Sequence, residues 1–255
     1  MPARMPGAGR GMIMPILVLT GLFNRFANFN LQDFLITILV LCISLSFHEM
    51  AHGWMAYKLG DDTASLQGRL TLNPLAHLDP IGSLTFIIAG IGWARPVPIN
   101  PARFDRKITM KKGIVLTSLA GPTANLILAT ASAIVLYLVL TAGLLMNGAD
   151  NLMITVLIAL FTRMYFANIS LAVFNLLPIP PLDGFKVFGA TLPDRIYYKL
   201  MGYERYIGMA FLLLVLVGGS ILPTIISTIA WPFDQVIRSP LNWLFSQLWH
   251  ALGLI

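Results

Sequence analysis

Charged side chains are scarce in this sequence. Of 255 residues, 11% are Asp, Glu, Lys or Arg while 57% are hydrophobic, and the mean hydropathy is +0.78. A soluble domain carries roughly 25% charged residues. This chain cannot cover itself with a polar surface and reads as a multi-pass protein of the cell membrane, with the lipid bilayer as its solvent. Acids are scarcer than bases, 11 against 17, for a net charge of +6. The bases cluster between apolar runs, where orientation across a membrane accounts for them, and no nucleic-acid partner is expected. Cysteine is reduced to Cys42, which excludes an intramolecular disulfide framework; its place inside an apolar run assigns it to packing. Internal repeats, low-complexity tracts and linkers to a second domain are absent.

What is present is long apolar stretches. Four windows, roughly residues 31–57, 113–140, 152–178 and 205–230, are long enough to cross a bilayer, which takes about 20 helical residues. Gly113 to Ala149 and Tyr206 to Phe233 contain no charge. The stretches Met12–Leu22 and Gly82–Ala94 are shorter. The second runs into "GWARPVPINP", whose prolines forbid a continued helix and fit a re-entrant extended loop. The expected fold is all-α and polytopic: about four to six transmembrane helices with a re-entrant, Pro-rich extended loop. Three regions follow: an N-terminal interfacial or short spanning segment, 1–30; a transmembrane core, 31–230; and an amphipathic tail, 231–255, whose aromatic spacing suits the interface.

The loops orient the bundle. Residues 95–112 carry Arg95, Arg103, Arg106, Lys107, Lys111 and Lys112 against Asp105 alone, and 182–205 carry Lys186, Arg195, Lys199 and Arg205. Both are expected on the cytoplasmic side, and the base-free turn "NGADN" outside. Gly121–Asn125, Asn175 and the end of the first span then share a cytoplasm-proximal depth. Arg163 fits least well, in the middle of window 152–178, and is expected to snorkel outward.

That end of the first span reads "LSFHEMAHGW". His48 and His52, four apart on a helix, face the same way and can reach one ion, while Glu49 stands about 100° round, near enough to meet water on it. Interfacial capping by polar residues is the plain alternative, but ionisable groups are costly in a membrane helix, which favours a metal. Zinc suits imidazole nitrogen and takes three protein ligands in a catalytic site. Candidates for the third are His77, Asp79, His250 and Asp183. His250 falls in the tail on the opposite side; His77 and Asp79, in "NPLAHLDP", serve equally as support or as interfacial residues. Asp183 follows a membrane helix through "FNLLPIPPLDGF", where the prolines stop the helix without stranding N–H groups and Gly184 allows a sharp bend, a device that aims a carboxylate into the bundle.

"HEMAH", "GPTAN" and "NLLPIPPLDG", with "NPLAHLDPIG" and "GWARPVPINP", resemble in order and spacing the site-2 protease family of intramembrane zinc metalloproteases, in its short prokaryotic form, over roughly Phe34 to Phe188. The resemblance implies one Zn2+ per chain on His48, His52 and Asp183, Glu49 as general base, and Asn125 and Asn175 beside the scissile peptide. The implied substrate is a transmembrane protein or membrane peptide. The connection between the second and third spans is too short to hold a PDZ domain, so substrate choice by that route is excluded. The oligomeric state is not legible.

In an extended strand Pro96 and Pro98 would turn one edge, lacking N–H groups, away, while Val97 and Ile99 keep donors and acceptors on the other, an edge to which a substrate strand can add. A rigid loop is the alternative. A rival function, a membrane metal transporter or sensor, would use the same His and Asp ligands, but repeated halves are missing and the Glu between the histidines is what hydrolysis needs.

Overall fold

The computed structural model describes residues 30–89, 92–146, 151–217 and 221–254. Apart from Asn30, the N-terminal segment lies outside them, as does the turn 147–150. The described chain is all-α, with helices α1 (Leu31–Lys58), α2 (Thr63–Leu66), α3 (Pro80–Ala89), α4 (Met110–Leu145), α5 (Leu152–Asn175), α6 (Asp183–Gly189), α7 (Asp194–Gly202), α8 (Glu204–Val217) and α9 (Ile221–Ala251). Among them α1, α4 and α5 are long and apolar enough to cross a membrane.

Each of the three starts on a side-chain cap. Asn30 accepts from the Asp33 N–H, Thr109 from Lys112, and Asn151 from Met153 and Ile154, satisfying amide groups that a helix start leaves unpaired. The helices then pack on small side chains: Ala129, Ala133 and Ala172 are at most 1% exposed, which lets backbones approach where burial in lipid offers no hydrophobic gain. Val40 and Ile36 of α1 meet Met164 of α5 in one cluster, and Ala129, Ala133, Tyr165, Ile169 and Val173 form another.

The chain after Val217 departs from the expected layout. The window 205–230 falls on two helices, and α9 runs unbroken across residue 230, where an amphipathic tail was expected to begin. Ile226, Ala230, Phe233, Ile237 and Leu241 line the second cluster, so this helix packs lengthwise on α4 and α5. Polar contacts follow the same stripe: Tyr165 donates to Asp234 at 2.8 Å, Tyr137 to Asn242, and Trp249 Nε1 to Thr141 at 2.8 Å. Asp234 and Arg238 end the apolar window at 230, whereas in α9 they lie within one helix, Arg238 Nη2 2.8 Å from Asp234 Oδ2. Arg163 reaches the first turn of α1, with Nη2 2.5 Å from Asp33 Oδ1 and Nη1 donating to the Asp33 carbonyl at 2.9 Å.

The expected re-entrant stretch is a hairpin-like excursion. α3 leads out, and the chain returns past Gly92 and Trp93 to an isolated antiparallel bridge between Leu78 and Ala94. Its arms touch: a Cβ on Gly82 would lie 2.3 Å from the Trp93 carbonyl oxygen, and one on Gly92 would lie 2.4 Å from that of Gly82. From Ala94 to Asn100 the chain forms no helix and no ladder beyond that bridge, and it is pinned from several sides. Arg95 N–H donates to His77 O at 2.7 Å, and Asn100 N–H donates to the fully buried Asp61 carboxylate at 2.6 Å. His77 therefore supports the loop through its backbone, while its Nε2 bonds the Thr71 carbonyl at 2.8 Å.

Candidate active site and metal centre

His48 and His52 are buried on α1, as one face four residues apart dictates. Their outer nitrogens face carbonyl oxygens. His48 Nδ1 lies 2.5 Å from Asn125 Oδ1, and His52 Nδ1 lies 2.7 Å from the Thr117 backbone oxygen, both acceptors being on α4. Each Nδ1–H is thereby committed, leaving the Nε2 lone pair free. The two Nε2 atoms are 3.0 Å apart, and Asp183 Oδ2 lies 3.2 Å from one and 3.0 Å from the other. Three acceptors thus converge with no hydrogen to share, an arrangement that a cation resolves. Two imidazole nitrogens and one carboxylate oxygen are a donor set that suits zinc. His48, His52 and Asp183 form a possible metal group whose ligand atoms all lie within 4.8 Å of one another.

The surroundings leave room for this convergence and little else. A Cβ on Gly121 of α4 would lie 2.4 Å from His52 Nε2 and 2.6 Å from His48 Cε1, so only glycine lets α4 pass. Asp183 begins α6, which is pressed against the end of α5: a Cβ on Gly184 would lie 2.2 Å from the Leu176 carbonyl oxygen. Gly184 is thus needed for space within a helix, not for the bend expected of it. Lys186 Nζ lies 3.5 Å from Asp183 Oδ1, a cation beside the carboxylate.

Glu49 is half-buried beside this group and accepts a hydrogen bond from the Val97 N–H at 2.9 Å. Val97 is itself buried, its Cγ1 standing 3.2 Å from where a Cβ on Gly53 would be. Ile99 is half-buried. The Val97 donor, expected to await an added strand, is already engaged by Glu49. Arg69, 7% exposed, donates from Nη2 to the carbonyls of Arg95 at 2.7 Å and Pro96 at 3.3 Å. Burial and then the charge of Arg95 lower its pKa, while Glu49 raises it.

Asn125 joins the site through His48. Behind it lies a residue that sequence reasoning missed: Asn168, fully buried, accepts from Asn125 Nδ2 at 2.7 Å and donates to Ser44 Oγ at 2.9 Å and to the Met164 carbonyl at 2.8 Å. An asparagine inside an apolar run was the available signal. Asn175 lies two turns further along α5 and donates to its own helix at Leu171 O, 3.0 Å. His77, Asp79 and His250 do not join the group; Asp79 caps the Gly82 N–H at 2.8 Å.

Comparison with known proteins agrees with this geometry. The profile of Peptidase family M50 matches residues 36–216. YwhC of Bacillus subtilis (strain 168) is 38% identical over 229 residues, covering 90% of this chain and 99% of its own. Rip2 of Mycobacterium tuberculosis (strain ATCC 25618 / H37Rv) is 30% identical over 206 residues, 79% of this chain and 74% of its own. MJ0611 of Methanocaldococcus jannaschii is 28% identical over 200 residues, 76% and 91%. All three carry the words zinc metalloprotease in their names. No solved structure matches the chain at a significant level. The metal transporter or sensor reading finds no favour among these relatives. The chain belongs to Peptidase family M50, the site-2 protease family of zinc metalloproteases.

Proposed function

We propose that this protein hydrolyses peptide bonds of transmembrane segments within the membrane, with one zinc ion per chain on His48, His52 and Asp183 and with Glu49 as general base. The observation that carries the reading is the junction at Glu49: one residue from His48, its carboxylate also receives the Val97 N–H of the Pro-rich loop. A base at that junction follows a ligand of the metal group in the chain and is bonded to the segment suited to hold a substrate.

Zinc held there would lower the pKa of a water to about 7 and polarise the scissile carbonyl. Glu49 takes a proton from the attacking water and returns it to the leaving amine. Val97 and Ile99 offer the strand edge. The Val97 N–H bonded to Glu49 points that edge towards the base, and the Val97 carbonyl and Ile99 N–H have no partner among the described residues. A substrate helix, unwound locally, pairs with these groups and exposes a peptide bond to attack. Asn175 uses one amide hydrogen on Leu171 O and turns the other to the substrate carbonyl. Asn125 stands beside the same peptide, while its Oδ1 orients His48. The basic loops 95–112 and 182–205 support a cytoplasm-proximal site, where water has a short path.

Glu49→Gln tests the reading. Glutamine keeps the size and cannot take the proton, so cleavage of a transmembrane reporter is expected to vanish with zinc still bound near one per chain. Full activity in this variant would remove the mechanism.

A further inference from the structure

Arg69 is a buried cation that feels the charge of Glu49 without bonding to it. Among the described residues no carboxylate lies within ion-pair distance of it, and its Nε–H is buried with no acceptor. Such a group is costly to bury unless its charge has work to do. The local chain delivers it deliberately: α2 ends, Gly68 takes a φ of +64°, and the Arg69 N–H turns back to the Ala64 carbonyl at 2.8 Å.

What the guanidinium grips is the loop segment next to the catalytic glutamate. Its Nη2 donates to the carbonyls of Arg95 and Pro96. The Pro96 carbonyl and the Val97 N–H belong to one peptide unit, which is planar and rigid. One end of that plane is held by Arg69 and the other by the Glu49 carboxylate, at 3.3 Å and 2.9 Å. Rotating the plane about the chain moves both contacts together. Pro96 has no N–H and Pro98 none, so no neighbouring donor in the segment can replace that of Val97.

We propose that Arg69 is a positioning residue: by clamping the Pro96–Val97 peptide plane it presents the Val97 N–H to Glu49 and so sets the orientation of that carboxylate. This rests on the reading of Glu49 as the base. Arg69 touches neither the metal group nor, on this account, the substrate.

The test uses the full chain in membranes with a transmembrane reporter. Zinc content, kcat and KM are measured for Arg69→Ala, Arg69→Lys, Val97→Pro and the Arg69→Ala/Val97→Pro double variant. Arg69→Ala is expected to keep its zinc, lose at least tenfold in kcat and change KM by less. Arg69→Lys, with one compact cationic head, recovers part of the loss. Because Arg69 acts through the Val97 N–H, removing it in the Val97→Pro background lowers kcat less than twofold further. Wild-type kcat in Arg69→Ala, losses that multiply in the double variant, or loss of zinc would each overturn the proposal. If Arg69→Ala does not accumulate in the membrane, Arg69→Gln carries the same comparison. Glu49→Gln, run alongside, separates the two levels. If it cleaves, the base assignment fails; if it is inactive while Arg69→Ala is normal, only the positioning role fails.

Discussion

Asn125→Leu separates the two jobs open to Asn125, orienting a metal ligand or contacting the substrate. Leucine fills a similar volume and removes every polar atom. In the structure the change strands two buried groups: His48 Nδ1–H, now 2.5 Å from Asn125 Oδ1, and Asn168 Oδ1, which now receives Asn125 Nδ2 at 2.7 Å. An unsatisfied buried group costs about 1–3 kcal/mol, so the pair costs about 2–6 kcal/mol before relaxation. Part of that falls on the metal, because an outer partner of a ligating histidine is worth roughly 10–100-fold in affinity, or about 1.4–2.7 kcal/mol. Competition for zinc with a chromophoric chelator in detergent measures this directly, and thermal unfolding of the metal-free protein measures the rest. Asn125→Asp is the companion: it keeps an oxygen for His48 and gives up the amide donor, so zinc affinity should stay within a few-fold of wild type. If Asn125→Leu binds zinc normally and loses only kcat, Asn125 works on the substrate and the His48 argument is wrong.

Asp183→Ala should lose both zinc and cleavage, whereas His77→Ala should keep most of its metal, since His77 bonds Thr71 and the loop and not the metal group; metal analysis of the two purified variants decides it. Gly121→Ala places a methyl 2.4 Å from His52 Nε2, about 1 Å inside ordinary contact. Both imidazoles must move off their anchors at Thr117 and Asn125, so zinc affinity should fall at least tenfold, read by the same chelator competition, and Gly121→Ser should be no better.

How much of the site could be read from the chain depended on the range of each contact. His48 and His52 are four apart in one helix, so their common face follows from helical geometry alone, and the structure keeps it. The proline-rich return towards Ala94–Asn100 was legible because proline removes donors wherever the chain later goes. Asn125 stood out as a polar group in an apolar run, but by the same signal Asn168 was equally visible and was passed over. Its contacts with Asn125 and Ser44 span 43 and 124 residues. Nothing local distinguishes it from Asn175, two turns away, which bonds its own helix. The continuity of α9 across residue 230 was hidden for a related reason. A window average counts Asp234 as exposed polarity, while in the bundle its carboxylate accepts from Tyr165 and Arg238.

The sequence by itself determined the membrane character, three of the four apolar windows as spanning helices, and the His48/His52 pair, because composition, helical spacing and donor type are properties of neighbours along the chain. Tertiary structure brings Asp183, the carboxylate expected from the sequence, to His48 across 135 residues. It also decided that the Val97 donor turns inward to Glu49, and that Arg69 reaches across to hold the peptide plane between them. Those are contacts between segments whose approach is set by close packing, by Gly121 against the imidazoles and Gly184 against the end of α5. No periodicity records such an approach, because the space that a missing side chain leaves is visible only once the helices stand side by side.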